Sequence, residues 1–494
     1  MASAPRVLFL DLSSHSLTPD ERELLASRRF AGLVVFARNV RDRQQLGDYL
    51  AEVRSLAGGD FIVAADQEGG RVLRVLDIPY PPPAMALGAA DDPELTRQVA
   101  ALGGQALQSV GINVDFAPVA DVNVNPRNPV IAERSFGADP LLVSRHVKAF
   151  VQGLQEAGVA ATVKHFPGHG DTAVDSHLAL QSLHRTPAEL EALELPPFRA
   201  ALEANVAAVM TAHIVFTGLD ATLPATLSPV VLPRLLRGQL GFRGVIFSDA
   251  LDMKAIADHH SPVEANVLAL QAGVDAPLNI GSVRHHLAIA DGIEAALAEG
   301  SLDAQLLAGA AARLEAMGRA YPARARPVPE AGGLLDDAAR RGLVSLGQLP
   351  RLEAGRQVTL VYQVRTEAHD ATQQIVTPGQ DFALLLEQEG FRVNRLEFLP
   401  DSLDVQALLE RVPPDGLVIY SSSGRASLNA RELELARELA RRHEGNWLHL
   451  SLWNPYHTLD LPQPALLAFG FRPAQLRAAL NALKGTPVSG VLPF

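Results

Sequence analysis

The chain has 494 residues, 48% of them hydrophobic and 20% charged, with a formal charge of −12. It is too long for one ordinary core, so two domains are expected, and the acidic balance disfavours nucleic acid or an anionic membrane as partner, because such surfaces need a basic face. Cysteine is absent altogether, which excludes disulfides, thiolate nucleophiles and cysteine metal sites. The opening MASAPRVLFLDLSS carries an apolar run too short for a signal-peptide core, and no apolar segment approaches the roughly 18 residues that span a bilayer. A cytoplasmic chain with no membrane partner is the expectation.

Apolar runs and amphipathic stretches then alternate through the first 300 residues. Candidate strands are Val7–Leu10, Gly32–Phe36, Phe61–Ala65, Val114–Ala117, Val159–Val163, Ala207–Thr211, Gly244–Phe247 and Val274–Leu278. Each precedes a helical pattern, in turn Pro19–Arg28, Arg41–Leu56, Pro93–Val110, Pro140–Ala157, Pro187–Ala204, Pro229–Leu240, Pro262–Ala272 and Val283–Ala298. Six of these open on proline behind a capping Thr, Asp or Ser, the expected start of a helix. Eight β/α units predict a TIM barrel over residues 1–320, since an open sheet rarely needs that many. Residues 321–335, proline- and alanine-rich, read as a linker. Residues 336–494 return to an αβ alternation: helices near Asp336–Ser345, Phe382–Gln388 and Ala430–Arg442, and strands near Gln357–Tyr362, Gly416–Tyr420, Leu448–Leu452 and Ala465–Phe469. They predict a smaller α/β sandwich domain.

A barrel places its chemistry at the C-terminal ends of its strands, and polar residues collect there. Asp66 follows the third run, Asp115 lies in the fourth, Lys164 and His165 end the fifth, and His213, Asp249 and Asn279 end the last three. The densest stretch is KHFPGHGDTAVDSH, Lys164–His177. Its proline and glycines predict a loop after Phe166.

Asp249 reads either as a nucleophile at the barrel mouth or as the N-cap of the next helix. Asp175 and His177 form a D-S-H triplet, in which a carboxylate can fix the tautomer of an imidazole and leave its other nitrogen as an acid/base; ordinary loop polarity is the alternative. His165, His169 and His177 could instead ligate a metal, but proline and glycine deny the first two the helix that makes a four-residue spacing useful. Asp66, Arg74, Arg134, Lys164 and His165 suit a polyhydroxylated ligand, or are rim salt bridges that tell little.

The motifs KHFPGHGDT and DSH, preceded by LVVFARN, DQEGGRV and RSFG and followed by FSDAL, resemble the β-N-acetylglucosaminidases (NagZ-type β-N-acetylhexosaminidases) of glycoside hydrolase family 3, over roughly residues 6–300. The resemblance implies a retaining hydrolase of terminal β-linked N-acetylglucosamine, with peptidoglycan fragments the expected source. It implies Asp249 as nucleophile, His177 as acid/base with Asp175 as its partner, and Asp66, Arg74, Arg134, Lys164 and His165 as sugar-binding residues. No metal or organic cofactor is implied. A β-N-acetylglucosaminide phosphorylase is the alternative within the family, and a metal-dependent barrel hydrolase the alternative outside it. The closing segment resembles the end of the second sandwich domain of longer family members, where the β-glucosidases keep a carboxylate acid/base that the DSH loop would make unnecessary.

Overall fold

The computed structural model describes residues 6–173, 180–324, 326–364 and 377–494. The strands in chain order begin with β1 (Phe9–Leu10), β2 (Gly32–Val35), β3 (Ile62–Ala65), β4 (Val114–Asp115), β5 (Ala160–Phe166) and β6 (Gln181–Leu183). They continue with β7 (Ala208–Thr211), β8 (Ile214–Phe216), β9 (Val245–Ala250) and β10 (Ala276–Leu278). All but β6 and β8 close a parallel barrel in the order β1-β10-β9-β7-β5-β4-β3-β2. Each predicted apolar run supplies one barrel strand.

The helices between them start as their sequences dictate. Thr18, Asp92, Asp139, Thr186 and Ser261 each accept first-turn backbone N–H groups in front of a proline, a cap worth about 1 kcal/mol apiece. Two helices depart from expectation. The stretch beginning at Pro187 breaks into Pro187–Ala192 and Leu195–Glu203, because Pro196 and Pro197 have no N–H with which to continue a helix. Val230–Gln239 winds as a π-helix around the internal Pro233.

Phe9, Phe116 and Phe247 meet edge to face inside the barrel, at centroid distances of 5.1 and 5.2 Å about Phe247, and form a dry floor beneath the mouth. β2 must begin with glycine for that reason: a Cβ on Gly32 would lie 2.3 Å from the Phe9 ring. β6 and β8 pair with each other outside the barrel, an addition that the sequence pattern did not announce.

A second sheet follows: β11 (Val344–Leu346), β12 (Gln357–Gln363), β13 (Arg392–Phe398), β14 (Leu417–Ser422), β15 (Trp447–Ser451) and β16 (Ala465–Leu467). Its order is β11-β16-β15-β14-β12-β13, parallel except for β11. Two readings are corrected here. The helix expected over Asp336–Ser345 spans Leu334–Arg341 and gives way to β11, and β13 was not anticipated. Both are edge strands, and β13 reads RVNRLEF, the charge-laden composition with which edges avoid further pairing.

Among the described residues between Tyr321 and Leu334 there is neither helix nor strand, and the start of this segment is tied to the barrel. Tyr321 O accepts from Asn113 Nδ2 at 2.8 Å, and Arg324 N donates to Gln108 Oε1 at 2.9 Å. An apolar seam joins the two halves, with Met85, Ala86, Ala89 and Ala132 packed on Val344, Tyr456, Ala465, Leu467 and Phe469. Among the described residues no helix is long and apolar enough to cross a membrane.

Candidate active site

Parallel strands open all their C-terminal ends on one mouth. In the barrel order β3 and β9 stand on opposite sides of it, so Asp66, just beyond β3, and Asp249, in β9, come from opposite sides of the opening.

Around Asp66 the structure assembles a buried ionic network. Asp66 accepts from Lys164 Nζ at 2.7 Å and from Arg74 at 2.8 Å. Lys164 Nζ also lies 2.6 Å from Glu68, which takes both arms of Arg134 at 2.7 and 2.8 Å. Two carboxylates thus stand among three cations. The side chains of Lys164 and Arg74 are 2% exposed and that of Asp66 is 19% exposed, so Asp66 is the member of that trio that reaches the opening. Burial alone would raise the Asp66 carboxyl, but Lys164 and Arg74 outweigh it and hold the group below its ordinary range. Glu68 behaves likewise under Arg134 and Lys164. Burial works against the Lys164 ammonium, and Asp66 and Glu68 reverse that and push it up. Asp66, Arg74, Arg134 and Lys164 are therefore brought together, with Glu68 as the joint that the sequence reading passed over.

His165 turns elsewhere. Its Nδ1 lies 2.8 Å from Asp121 Oδ2, while Asp121 Oδ1 accepts the backbone N–H groups of His165 and His169. An Nδ1–H donated to Asp121 leaves Nε2 of His165 as the free tautomeric face. His169 Nδ1 meets Thr172 Oγ1 at 2.8 Å, and burial with His165 nearby lowers its pKa to about 4. The two rings meet edge to face, 5.6 Å apart, each with Nδ1 already committed. Among the described residues no three His, Asp or Glu side chains gather as metal ligands would. Asp175 and His177 lie outside the described residues.

Asp249 does not cap the following helix, which begins at Lys254 behind Met253. It is half-buried and accepts the N–H of Ala250 at 2.8 Å. Here β9 carries one residue more than β10: Phe247 pairs with Ala276, and Ala250 with Leu278. Ser248 Oγ accepts the Leu278 N–H at 2.9 Å, so the bulge is satisfied within the sheet. His213 Nε2 meets Ala250 O at 2.9 Å and braces the strand end, whereas Asn279 pairs with Asn266 away from this cluster. Asp115 is fully buried beside the network, where burial, with Asp66 and Glu68 adding to it, raises its carboxyl to about 7.

Such a mouth, with its acid-and-base cradle and a carboxylate on the opposite strand, is the arrangement of a glycoside-processing barrel. The sequence model for the glycosyl hydrolase family 3 N terminal domain matches residues 6–317, and the chain belongs to that family. It is 38% identical over 325 residues to a beta-hexosaminidase of Thiobacillus denitrificans, covering 64% of this chain and 87% of that one. A beta-hexosaminidase of Tolumonas auensis is 38% identical over 291 residues, 58% of this chain and 86% of its own. Among solved structures, a glycoside hydrolase family 3 beta-N-acetylglucosaminidase from Paenibacillus sp. str. FPU-7 is similar over 99% of this chain and 97% of its own, with a TM-score of 0.90 and 31% identity.

Proposed function

We propose that the protein is an exo-acting, retaining β-N-acetylglucosaminidase that removes terminal β-linked N-acetylglucosamine, with cytoplasmic peptidoglycan fragments as its substrates. The names of its relatives support the sugar. The observation that carries the reading is the position of Asp249, which stands at a strand bulge, is not the cap of the following helix, and lies on the side of the mouth opposite the Asp66–Lys164–Arg74 cradle.

In the first step Asp249 attacks the anomeric carbon, the glycosidic C–O bond breaks, and His177 donates its proton to the departing oxygen. In the second, water attacks the same carbon, His177 takes the proton, and the Asp249 ester is released. Asp175 keeps the imidazole in the tautomer this requires. A neutral imidazole beside the ester activates water without adding a second negative charge near Asp249. That is the proposed reason why a histidine serves where most retaining enzymes use a second carboxyl about 5–5.5 Å away. Asp66 accepts from sugar hydroxyls, Arg74, Arg134 and Lys164 complete the cradle, and His165, held by Asp121, offers the sugar its Nε2.

The test is hydrolysis of 4-nitrophenyl β-N-acetylglucosaminide and its glucose analogue by wild type and Asp249→Ala, with and without phosphate. Wild type should cleave the first and release free N-acetylglucosamine whether or not phosphate is present. The variant should lose about three orders of magnitude or more. Near-wild-type turnover by Asp249→Ala would remove the proposal, and a sugar phosphate as product would replace hydrolysis with phosphorolysis.

A further inference from the structure

The turn that carries Arg134 is held from the second domain as well as from the barrel. Asn123 Nδ2 donates to Tyr456 Oη at 2.7 Å, and the hydroxyl sits 3.3 Å from Asn123 O. The Oδ1 of the same asparagine accepts the N–H of Ala132 at 3.2 Å. Ala132 opens the turn Ala132–Arg134 at φ +41°, a left-handed conformation that a residue with a Cβ adopts only when its surroundings impose it. Two residues on, Arg134 grips Glu68 with both arms.

A second line of contact runs beside the first. The Arg71 guanidinium lies 5.7 Å from the Trp453 ring centroid and pairs at 2.5 Å with Glu133, the residue before Arg134; both partners are buried. Val130 O accepts from Arg71 at 2.8 Å and from Arg134 at 3.1 Å, so one carbonyl joins the two guanidinium groups. Arg472 Nε also donates to Gly70 O at 3.0 Å, on the loop that carries Asp66 and Glu68.

We infer that Tyr456 and Trp453 of the second domain are positioning residues for the sugar subsite, presetting Arg134 through Asn123–Ala132 and through Arg71–Glu133. The inference rests on the reading of Arg134 as a sugar ligand. The second domain then contributes to substrate binding without touching substrate, and its loop after β15 sets the subsite's geometry before the sugar arrives. Preorganisation of this kind acts on binding of ground and transition states alike.

The experiment uses the full-length protein and four forms: wild type, Tyr456→Phe, Trp453→Ala and Trp453→Phe. Tyr456→Phe removes one hydroxyl and keeps the ring, so it guards against misfolding of the alanine variant. With 4-nitrophenyl β-N-acetylglucosaminide, Tyr456→Phe and Trp453→Ala should raise KM about tenfold while kcat stays within about twofold, and Trp453→Phe should restore most of the loss. A merely structural role would lower apparent kcat with the folded fraction and leave KM unchanged, and that result overturns the proposal. Hydrogen exchange of the free proteins, followed over residues 128–136, supplies a readout that needs no substrate. Faster exchange there in Tyr456→Phe supports the positioning role, and unchanged exchange refutes it even if the wild type proves to cleave some other glycoside.

Discussion

Glu68 is the most informative single side chain to change. It is almost wholly buried and holds three charged contacts, at 2.6, 2.7 and 2.8 Å, to Lys164 and Arg134. Removing one partner from a buried ionic group costs about 3–5 kcal/mol, because the cations left behind lose their counter-charge without regaining water. Glutamine keeps the shape and one acceptor, so Glu68→Gln should fall near the lower end, about 3 kcal/mol. Its sugar affinity should weaken as well, since Arg134 is released. The pH dependence carries a sign. Arg134 and Lys164 overcome the cost of burial and hold Glu68 below its ordinary value of 4.5, so its stabilisation is fully present above that value and is lost as pH falls towards the folded-state pKa. The gap between wild type and Glu68→Gln should therefore narrow on acidification. Urea unfolding should be followed by far-UV circular dichroism, because both tryptophans, Trp447 and Trp453, lie in the second domain and their fluorescence would report the wrong half. Glu191→Gln, which breaks the exposed pair with Arg199, is the control and should cost less than about 1 kcal/mol. If Glu68→Gln costs no more than that control and leaves kcat/KM unchanged, the network is ornamental and the cradle argument fails.

Three further variants probe the buried charge and the packing of the barrel half. Burial first, and then the neighbouring Asp66 and Glu68, raise Asp115 from 3.8 to about 7, so its contribution to stability is fully present below about 3.8 and declines as pH rises through about 7. Asp115→Asn should accordingly gain on wild type between pH 5 and 8, by roughly 2 kcal/mol, and parallel stability curves for the two proteins would contradict the assignment. A Cβ on Gly170 would lie 1.8 Å from Val122 O, so Gly170→Ala must push apart the loops after β4 and β5 at a cost of about 1–3 kcal/mol. Gly47→Ala has open space inside its helix and should instead stabilise by about 0.5–1 kcal/mol; thermal unfolding of the two variants checks both signs.

The barrel was legible because its signals are local. Proline behind a capping side chain marks where helices begin, and an uninterrupted apolar run marks a strand covered on both faces. The second sheet was legible only in its middle, since β13 carries charges as an edge strand and β11 is three residues long. The candidate site divides in the same way. Motif and strand-end position pointed to Asp66, Arg74, Arg134 and Lys164, and those four do share one network. Glu68 and Asp121 escaped notice because an acidic residue in a loop is unremarkable until burial and partners are known. The sequence also could not say that Tyr456, more than 300 residues away, bonds to Asn123.

The two register shifts found among the barrel pairings fall on β5 and β9, and their position has a physical consequence. In a regular strand, consecutive side chains point to opposite faces, so a barrel strand could present only every second residue to its mouth. Between Val163 and Phe166, β5 spends one residue more than β7, which pairs Val209 and Thr211 with them. Within that stretch Lys164 reaches Asp66 and Glu68, while the very next residue, His165, reaches Asp121. β9 makes the same insertion between Phe247 and Ala250, where Asp249 stands. A bulge costs one ladder position and re-aims the side chains around it. An ungapped barrel would bury one of each adjacent polar pair behind the sheet, where it would lack water and partners alike. The extra residues let a closed parallel barrel hold this density of charge at its mouth and still keep an apolar floor of Phe9, Phe116 and Phe247 directly below.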